Sequence, residues 1–439
     1  MGALFGTDGV RGVAGEQITA DLALALGRAA VAVARRPAPQ ILLVRDTRES
    51  GPMLESALAA GIASAGGEAL IAGVLPTPAA SVLVRRHGLD LAAVISASHN
   101  PFADNGIKFF GPDGGKLGDD REATLERLVL EGSGDPAPPE RFGRIREIEA
   151  ALADYVRALR TAFPLDLTGR RILLDCANGA TYQAAPLVFE RLGATVEVIA
   201  DEPDGRNINE GCGSTHVEAL AAKTKEAGAD VGFAFDGDGD RVLAADRSGR
   251  VHDGDELIAL CARHLQAADR LGSGGVAVTV MTNYGFHQAM ADAAIPVATT
   301  KVGDRHVTEE LRRRDWTLGG EQSGHIISTD FAATGDGIAA ALLTLAALGN
   351  RDLAEVEPFV RLPQTLVNVR VADREAVADA GAVWDAVAAA DAALEGRGRV
   401  LIRPSGTEPL VRVMVEAPTA EEAERTAGDL AALVVRELG

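Results

Sequence analysis

Five short segments of the sequence combine glycine with residue types that bind phosphate or a metal ion. They carry hydroxyl, carboxylate, imidazole and guanidinium groups, and they lie at residues 5–12, 96–101, 236–241, 319–325 and 403–409. Glycine lets the backbone approach a ligand closely, and serine, arginine and backbone N–H groups are common partners of a tetrahedral anion. Each segment alone is also compatible with an ordinary turn. Together they predict a multi-domain enzyme that closes around a phosphorylated substrate.

Ser98 follows a short apolar segment at residues 91–95, which predicts a buried strand. Because ligands of open α/β sheets gather at the carboxyl ends of the strands, we expect Ser98 to lie at a site. A hydrolase triad is disfavoured, because His99 is the adjacent residue and the chain contains no Gly-x-Ser-x-Gly segment. A serine that carries a transferable phosphate fits better, and a polar turn before Pro101 is the alternative.

The segment Asp236-Gly237-Asp238-Gly239-Asp240 follows a second apolar segment at residues 231–235. The glycines allow the loop to fold three carboxylates onto one point, where their mutual repulsion requires a cation. Hard oxygen ligands suit Mg²⁺, which usually leaves positions for substrate phosphate. An EF-hand is excluded, because Arg241 and Arg247 stand where that loop needs glycine and glutamate. A solvated acidic turn is the alternative to this predicted metal site.

The remaining segments offer further groups for a phosphorylated ligand. Lys108, ten residues after Ser98, would neutralise phosphate charge or assist proton transfer, with a surface lysine as the alternative. Glu321 and Ser323 have the spacing to bind sugar hydroxyls, whereas the context of His325 alone favours a packed loop histidine. A compact anion-binding loop, for which a hairpin turn is the alternative, is predicted from Arg403, Ser405, Gly406, Thr407 and Arg412.

Composition narrows the class of protein. The chain has 439 residues, which predicts two to four domains. Its formal net charge of −20 disfavours a nucleic-acid partner. The 3 cysteines do not suggest a disulfide framework, so we expect a reduced, cytoplasmic protein. No apolar run approaches the roughly 20 residues of a membrane span. We expect no secretory leader, because the first of the five segments already begins at residue 5.

The elements that must position these loops recur along the chain. An apolar segment, a polar loop, an amphipathic segment and a second apolar segment occur three times, with apolar pairs at 41–44 and 69–71, 172–174 and 196–199, and 276–280 and 296–299. This pattern is typical of βαβ units. The tail predicts a β-α-β-β-α order, with a helix over 374–394 and a capping box at Thr419.

We therefore expect four domains with one of these loops in each. The expected ranges are an α/β domain with the Ser98 loop at 1–150, an α/β domain with the metal-binding loop at 151–250, an α/β domain with the sugar-binding loop at 251–362, and an α+β domain with the phosphate-binding loop at 363–439.

Taken together, the segments resemble the signature loops of the α-D-phosphohexomutase family, in the same order and over the whole chain. The opening Phe-Gly-Thr-Asp-Gly-Val-Arg-Gly at residues 5–12 also resembles that family. Gln322 and the segments at 207–209, 212–216 and 281–283 are most similar to the bacterial branch that acts on glucosamine phosphates. The resemblance implies three similar α/β domains with mixed sheets and a C-terminal α+β domain, arranged around a central cleft.

The resemblance also implies roles for individual residues. Ser98 would be phosphorylated, and with Asp236, Asp238 and Asp240 it would bind one Mg²⁺ per chain. The transferring phosphate would be surrounded by Arg11, His99, Lys108 and His325. The substrate would be bound by Lys301, Gly303, Asp304, Arg305, Glu321 and Ser323 at the sugar, and by Arg403, Ser405, Gly406, Thr407 and Arg412 at the phosphate that does not react.

The activity implied is an isomerase reaction that interconverts glucosamine 6-phosphate and glucosamine 1-phosphate. The phosphoserine would form a glucosamine 1,6-bisphosphate intermediate, and a hexose bisphosphate of this kind would be the activator. The product would feed UDP-N-acetylglucosamine and cell-wall precursor synthesis. The alternatives are a phosphoglucomutase or phosphomannomutase, a phosphatase, and a sugar-phosphate-binding protein without activity. The expected partner is a hexosamine phosphate, and a homodimer is one oligomeric state that the sequence leaves open.

Overall fold

The computed structural model describes residues 4–6, 8–34, 36–132, 136–271, 274–405 and 408–439. The chain divides into two compact units. The larger comprises Met1–Met281 and Ile295–Val356, and the smaller, which we call the C-terminal unit, comprises Thr282–Ala294 and Glu357–Gly439. No helix among the described residues combines the length and the apolar character that crossing a membrane requires.

The first sheet of the larger unit has six strands. Its elements are β1 (Val10–Val13), α1 (Ala20–Ala34), β2 (Gln40–Arg45), α2 (Gly51–Ser64), β3 (Glu68–Val74), α3 (Thr77–Arg86), β4 (Leu91–Ile95), β5 (Asp104–Phe110), α4 (Asp119–Leu130) and β6 (Ile145–Glu147). The order is β1-β5-β4-β2-β3-β6, in which β5 is antiparallel to both of its neighbours. Helices α2 and α3 both pack against β2 and β4, so the central strands are buried runs of apolar residues.

The second sheet has five strands in the order β11-β10-β9-β7-β8. Its elements, after α5 (Ala151–Ala162), are β7 (Arg171–Asp175), α6 (Ala184–Arg191), β8 (Thr195–Ile199), α7 (Val217–Ala227), β9 (Val231–Phe235), β10 (Val242–Asp246) and β11 (Val251–His252). Strands β8, β7 and β9 are parallel, while β10 pairs antiparallel with β9 and β11. The metal loop predicted from the sequence is the connection from β9 to β10.

The third sheet has the order β13-β12-β14-β15. The elements of this region are α8 (Gly254–Ala267), β12 (Val276–Thr279), α9 (Tyr284–Asp292), β13 (Val297–Thr300), α10 (Asp304–Arg314), β14 (Leu318–Gly320), β15 (Ile326–Ser328) and α11 (Gly337–Leu348). The strand pairs β2/β3, β7/β8 and β12/β13 are all parallel, which confirms the three predicted βαβ units. Helix α9 belongs to the C-terminal unit.

The C-terminal unit contains a three-stranded antiparallel sheet in the order β16-β18-β17. Its further elements are β16 (Gln364–Arg370), α12 (Gly381–Leu394), β17 (Arg399–Pro404), β18 (Leu410–Glu416) and α13 (Ala420–Leu438). The side chain of Thr419 accepts a hydrogen bond from the backbone N–H of Glu422, so the predicted start of the last helix is confirmed.

The predicted continuous helix over 374–394 is wrong. A short 3-10 turn at Glu375–Asp379 is followed by Ala380 at φ −77° and ψ 76°, and α12 begins only after it. The indole Nε1 of Trp384 donates to the carbonyl of Val377 at 2.8 Å and so joins the turn to the helix. The alanine-rich composition favours helix throughout, but this tertiary contact replaces the helical bonds at the break.

The predicted domain boundaries stay a prediction. The three sheets of the larger unit fall within the expected α/β ranges, apart from β11 (Val251–His252), which belongs to the second sheet but lies just beyond residue 250.

The buried carboxylate of Glu416 joins the two stretches of chain in the C-terminal unit. It accepts hydrogen bonds from Asn283 Nδ2 at 3.1 Å and from the backbone N–H of Tyr284 at 3.0 Å. Nε of Arg399 donates to the same carboxylate at 2.7 Å.

Candidate active site

Ser98 lies just after β4, at the carboxyl end of a central strand of the first sheet. It is only 2 % exposed, and its backbone φ is 52°, in the left-handed region. Its Oγ donates a hydrogen bond to Oδ2 of Asp236 at 2.6 Å. Nδ1 of His99 lies 3.4 Å from the Oγ of Ser98. Ser98 follows β4 of the first sheet, and Asp236 follows β9 of the second. The serine loop (residues 96–101) and the aspartate loop (residues 236–240) are therefore in contact at the ends of strands from two different sheets.

The carboxylates of Asp236, Asp238 and Asp240 form one buried cluster. An oxygen from each lies within 4.8 Å of the others. Burial and the two neighbouring carboxylates raise the pKa of Asp236 well above its usual value. Burial acts on Asp238 in the same direction, but the Lys108 ammonium and hydrogen bonds from Lys108 and Thr77 lower its pKa instead. The cluster therefore concentrates negative charge that the protein compensates only in part.

This cluster fits a hard divalent cation. Oδ1 of Asp238 is buried and accepts no hydrogen bond from an N–H or hydroxyl group of the described residues. A buried carboxylate oxygen without a partner is costly, and a metal ion would remove that cost. The turn at Gly239, with φ 72°, lets the three carboxylates converge. Three carboxylates and the Ser98 oxygen form a set of hard oxygen donors of the kind that Mg²⁺ takes.

Lys108 supplies positive charge beside the cluster, and Arg11 supplies positive charge beside Asp8. Nζ of Lys108, on β5, donates to Oδ2 of Asp238 at 2.7 Å and lies 3.8 Å from Oδ2 of Asp240. Burial lowers the pKa of Lys108, but the carboxylates of Asp238, Asp8 and Asp240 outweigh burial and raise it. The Arg11 guanidinium, on β1, contacts the Asp8 carboxylate. Both cations therefore lie at the end of the first sheet that carries Ser98.

Two predicted histidines also border the cluster. Burial, together with the cations of Arg241 and Arg11, lowers the pKa of His99. His325 is buried, and its Nδ1 lies 3.5 Å from Oδ1 of Asp240. Burial would lower the pKa of His325, but the Asp240 carboxylate outweighs it and raises that pKa to about 9. One imidazole thus favours the neutral form and the other the charged form.

The loop at residues 319–325 contacts the predicted loop at 301–305. Oε1 of Glu321 accepts a hydrogen bond from the backbone N–H of Gly303 at 2.9 Å. Ser323 and Lys301 are exposed. The two loops therefore form one surface with a carboxylate, a hydroxyl and an ammonium group, which are groups that bind sugar hydroxyls and phosphate.

Asp304 and Arg305 have protein partners in this structure. Oδ2 of Asp304 lies 2.6 Å from Nζ of Lys116. The Arg305 guanidinium contacts Asp119 and donates to Oε2 of Glu122 at 3.3 Å. Both predicted substrate-binding residues therefore connect α10 with the segment around the start of α4.

In the C-terminal unit, two arginines lie opposite each other on neighbouring strands. Arg403 of β17 is paired with Arg412 of β18. Burial and the Arg412 cation lower the pKa of Arg403. Nη2 of Arg412 donates to Oγ of Ser405 at 3.4 Å. Like charges in directly opposed positions repel, so this arrangement favours an anion. Gly406 and Thr407, predicted for the same loop, lie outside the described residues.

Three polar residues without a predicted role also lie at the site. The hydroxyl of Thr77 donates to Oδ2 of Asp238 at 2.6 Å, and Lys116 holds Asp304 as described. Arg48 is completely buried and donates to the carbonyl of the predicted phosphoserine at 2.9 Å. The sequence around Thr77 and Lys116 gives no signal that they are site residues. The only signal for Arg48 is its position in the polar loop after β2.

Models of four domains match the chain in order. They are domains I, II and III, described as alpha/beta/alpha, and the C-terminal domain of phosphoglucomutase/phosphomannomutase. The matched residues are 2–134 for domain I, 153–249 for domain II, 253–361 for domain III and 366–433 for the C-terminal domain.

Similar proteins agree with these domain matches. The chain is 52% identical over 424 residues to a phosphoglucosamine mutase of Desulforudis audaxviator, with 95% of this chain and 94% of the relative covered. A solved phosphoglucomutase/phosphomannomutase family protein of Burkholderia thailandensis has a TM-score of 0.82 at 24% identity, covering 100% of this chain and 98% of the other.

A more distant solved structure is N-acetylphosphoglucosamine mutase of Aspergillus fumigatus in complex with GlcNAc-6P and magnesium. Its TM-score is 0.68 at 19% identity, and the match covers 99% of this chain and 96% of the other. At 24% and 19% identity, the likenesses to these two solved structures show the fold alone. The ordered match of four domain models and the 52% identity nevertheless show the family: the chain belongs to the phosphoglucomutase/phosphomannomutase family and is an isomerase of the phosphohexomutase type.

Proposed function

We propose that the chain interconverts glucosamine 6-phosphate and glucosamine 1-phosphate. The sugar assignment is supported by the relative of 52% identity, which is a phosphoglucosamine mutase. The observation that carries the chemistry is the hydrogen bond between Ser98 Oγ and Asp236, which joins a buried hydroxyl to a carboxylate cluster. The product would supply UDP-N-acetylglucosamine and cell-wall precursor synthesis.

In the proposed reaction, Ser98 is the phosphoryl carrier. The bond from phosphorus to Ser98 Oγ breaks as a bond to O1 of glucosamine 6-phosphate forms, which gives glucosamine 1,6-bisphosphate. The O1 hydroxyl loses its proton and the serine oxygen gains one. His99, with Nδ1 3.4 Å from Oγ, is our candidate for exchanging the proton of the serine. Transfer of the 6-phosphate back to Ser98 then releases glucosamine 1-phosphate.

Catalysis by such a site would depend on position and charge. Lys108 and Arg11 would neutralise the oxygens of the transferring group, because Lys108 contacts Asp238 of the cluster and the Arg11 cation acts on His99 beside Ser98. Mg²⁺, bound by the three aspartates and the Ser98 oxygen, would stabilise negative charge on that group. The buried Oδ1 of Asp238 without a donor supports this assignment.

The sugar and the second phosphate would be bound by the other loops. Glu321, Ser323 and Lys301 would bind the sugar hydroxyls and the phosphate, while Gly303 holds Glu321 in place. The phosphate that does not react would bind Arg403, Ser405 and Arg412, together with Gly406 and Thr407. The opposed guanidinium groups support this role.

The decisive experiment follows phosphate on Ser98. Wild-type protein treated with a hexose 1,6-bisphosphate should gain one phosphoryl group by intact mass and should form glucosamine 1-phosphate from glucosamine 6-phosphate. Ser98→Ala should gain no phosphate, and its turnover should fall at least about 10³-fold. Thr47→Ala, a hydroxyl change in the loop after β2, is the control. A Ser98→Ala variant with full activity would refute the phosphoserine.

Substrate comparison tests the sugar assignment separately. The 6-phosphates of glucosamine, glucose and mannose should be compared by kcat/KM with the same trace of bisphosphate. A preference for glucose or mannose would favour a phosphoglucomutase or phosphomannomutase. Net phosphate release without a 1-phosphate would indicate a phosphatase.

Cytoplasmic location and a homodimer are two further predictions. The three free cysteines support the cytoplasmic location.

A further inference from the structure

Arg48 is the largest completely buried side chain among the described residues. Its Nε donates to Oδ2 of Asp46 at 2.8 Å, and its Nη2 donates to the carbonyls of Ser98 at 2.9 Å and Asn100 at 2.8 Å. Nη1 donates to the carbonyl of Asp104 at 2.9 Å and also contacts that of Pro101. Because a guanidinium has five N–H donors, every donor of Arg48 is engaged. Three of them hold carbonyls of the serine loop (residues 96–101), and one holds the first residue of β5.

Asn209 binds two of the same backbone carbonyls, and it does so from a loop of the second sheet's region. It lies in the loop between β8 and α7, is buried, and adopts a φ of 60°. Its Nδ2 donates to the carbonyl of Ser98 at 3.0 Å and to that of Asn100 at 3.3 Å. Two donors that are 161 positions apart in the sequence therefore converge on one pair of backbone oxygens.

These contacts fix a backbone conformation that serine does not favour. The φ of 52° at Ser98 is costly for a residue with a side chain, so the surrounding contacts must maintain it. The Ser98 N–H donates to Oγ of Ser96 at 2.9 Å, and Ser96 Oγ donates to Asp46 at 2.6 Å. A side chain at Gly237 would meet the Ser98 carbonyl at 2.5 Å, so only glycine leaves room for this arrangement.

We propose that Arg48 and Asn209 are positioning residues that hold the Ser98 carbonyl and thereby direct Ser98 Oγ toward the aspartate cluster. The inference rests on the proposed function of Ser98 as phosphoryl carrier. Neither side chain touches Oγ or the carboxylates of the cluster, so both act through the backbone. Loss of either donor would let the serine relax toward ordinary φ values, and Oγ would leave its position 2.6 Å from Asp236.

Asn209→Asp is the sharpest test, because it keeps the shape and the tolerance for positive φ but replaces the donating N–H₂ with an oxygen. Asn207→Asp is the matched control: it makes the same change two residues earlier, where Nδ2 donates to the carbonyl of Glu202 at 2.9 Å and not to the serine loop. Arg48→Lys is the second variant, since a lysine keeps the charge but offers three donors in place of five.

For Asn209→Asp we expect kcat on glucosamine 6-phosphate to fall at least about 30-fold, while KM changes less than about threefold. The rate at which a hexose 1,6-bisphosphate phosphorylates Ser98, followed by intact mass, should fall by a similar factor. Asn207→Asp should keep wild-type values. General loosening of the fold would instead raise KM and lower the melting temperature together.

The outcomes separate this inference from the proposed function. Wild-type protein that neither isomerises the sugar phosphate nor gains phosphate would overturn the proposed function and this inference with it. An active wild type with an Asn209→Asp variant of unchanged kcat would overturn the inference alone. Arg48→Lys with wild-type kcat would do the same, and if that variant does not fold, Asn209→Asp decides.

Discussion

At the scale of single residues, the aspartate cluster brings three buried carboxylates together. Asp238 has one oxygen paired with Lys108 and Thr77 and another that is buried without a donor. We expect Asp238→Asn to weaken Mg²⁺ binding at least about 10-fold, because one of three charged ligands is lost. Titration calorimetry measures the affinity directly.

Thermal denaturation provides a second measurement of the same metal site. Mg²⁺ should raise the melting temperature of the wild type, because a ligand that binds only the folded state stabilises it. The rise should be smaller in Asp238→Asn at the same Mg²⁺ concentration. Exposed Asp166→Asn is the control and should respond as the wild type does. Equal Mg²⁺ responses in all three proteins would count against the aspartate site.

The opposed arginines of the C-terminal unit lead to a different prediction. Arg412→Gln removes one of two like charges that lie directly across from each other, so the free protein should lose little or no stability. We expect KM for glucosamine 6-phosphate to rise about 10-fold or more, because a charge-assisted contact with phosphate is lost. Steady-state kinetics and melting temperature together test both parts. Arg436→Gln, on the exposed end of α13, is the control, and an unchanged KM in Arg412→Gln would contradict the phosphate role.

The residues that follow buried strands were predictable from sequence, and the residues that hold them were not. Ser98 and Asp236 were found because apolar segments precede both loops. Arg48 and Asn209 act through hydrogen bonds to backbone oxygens 50 and 111 positions away, and no local pattern encodes such contacts. Asp304 is a further example: the sequence predicted its loop as part of the site, but it did not predict that Lys116 would be its partner.

At the scale of elements, the start of α11 contains a buried titrating group. Asp336 caps the helix by accepting from the N–H of Ala339 at 2.9 Å, and it also accepts from the hydroxyl of Tyr155 at 2.8 Å. Burial raises the pKa of Asp336 to about 7, although both hydrogen bonds favour the carboxylate. The folded state therefore binds this proton more tightly than the unfolded state, in which the pKa is about 3.8.

It follows that stability decreases as Asp336 ionises. The contribution of Asp336 to the free energy of unfolding is complete below the pKa that it has in the unfolded state. This contribution is lost as the pH rises through the pKa that it has in the folded state. Relative to Asp336→Asn, we expect the free energy of unfolding of the wild type to fall on the order of 3 kcal/mol between about pH 5 and about pH 8. Urea denaturation across this range measures the difference. Asp253→Asn, the corresponding cap change on α8, is the control, and parallel pH profiles for wild type and Asp336→Asn would disprove the assignment.

Helix α12 shows the limit of prediction at this scale. Its existence and its end at Leu394 followed from the alanine-rich composition, but its beginning did not. The break at Ala380 depends on Trp384 reaching back to the Val377 carbonyl, and that contact exists only once the turn has formed. Propensity therefore predicted the type of element, and tertiary contacts set its bounds.

At the scale of the whole molecule, the C-terminal unit is built from two separate stretches of chain. Buried Glu416 takes its hydrogen bonds from Asn283 and Tyr284, which precede it by more than 130 positions. We expect a fragment of residues 363–439 to be destabilised, because this carboxylate would lose two donors. Restoring residues 282–294 through a flexible linker should raise the melting temperature of the fragment.

The control for this experiment is the same linked fragment with Asn283→Asp, which removes the Nδ2 donor to Glu416 and keeps a side-chain oxygen that can cap helix α9. It should melt below the linked fragment with Asn283. Equal melting temperatures for the fragment of residues 363–439 with and without residues 282–294 would contradict the prediction. They would show that residues 282–294 do not stabilise the rest of the C-terminal unit. Nothing in the residue types at 282–294 indicated this association, because its contacts lie far along the chain.

The two-part construction of this unit bears on how the protein is made. A ribosome releases residues 282–294 well before residues 357–439, whereas domains that fold during synthesis normally do so in order from the N-terminus. Helix α9 can therefore make its contacts with Glu416 only after residues 357–439 have been synthesised. The third sheet can form around β12 and β13 earlier, whereas helix α9 is translated well before the residues that it packs against.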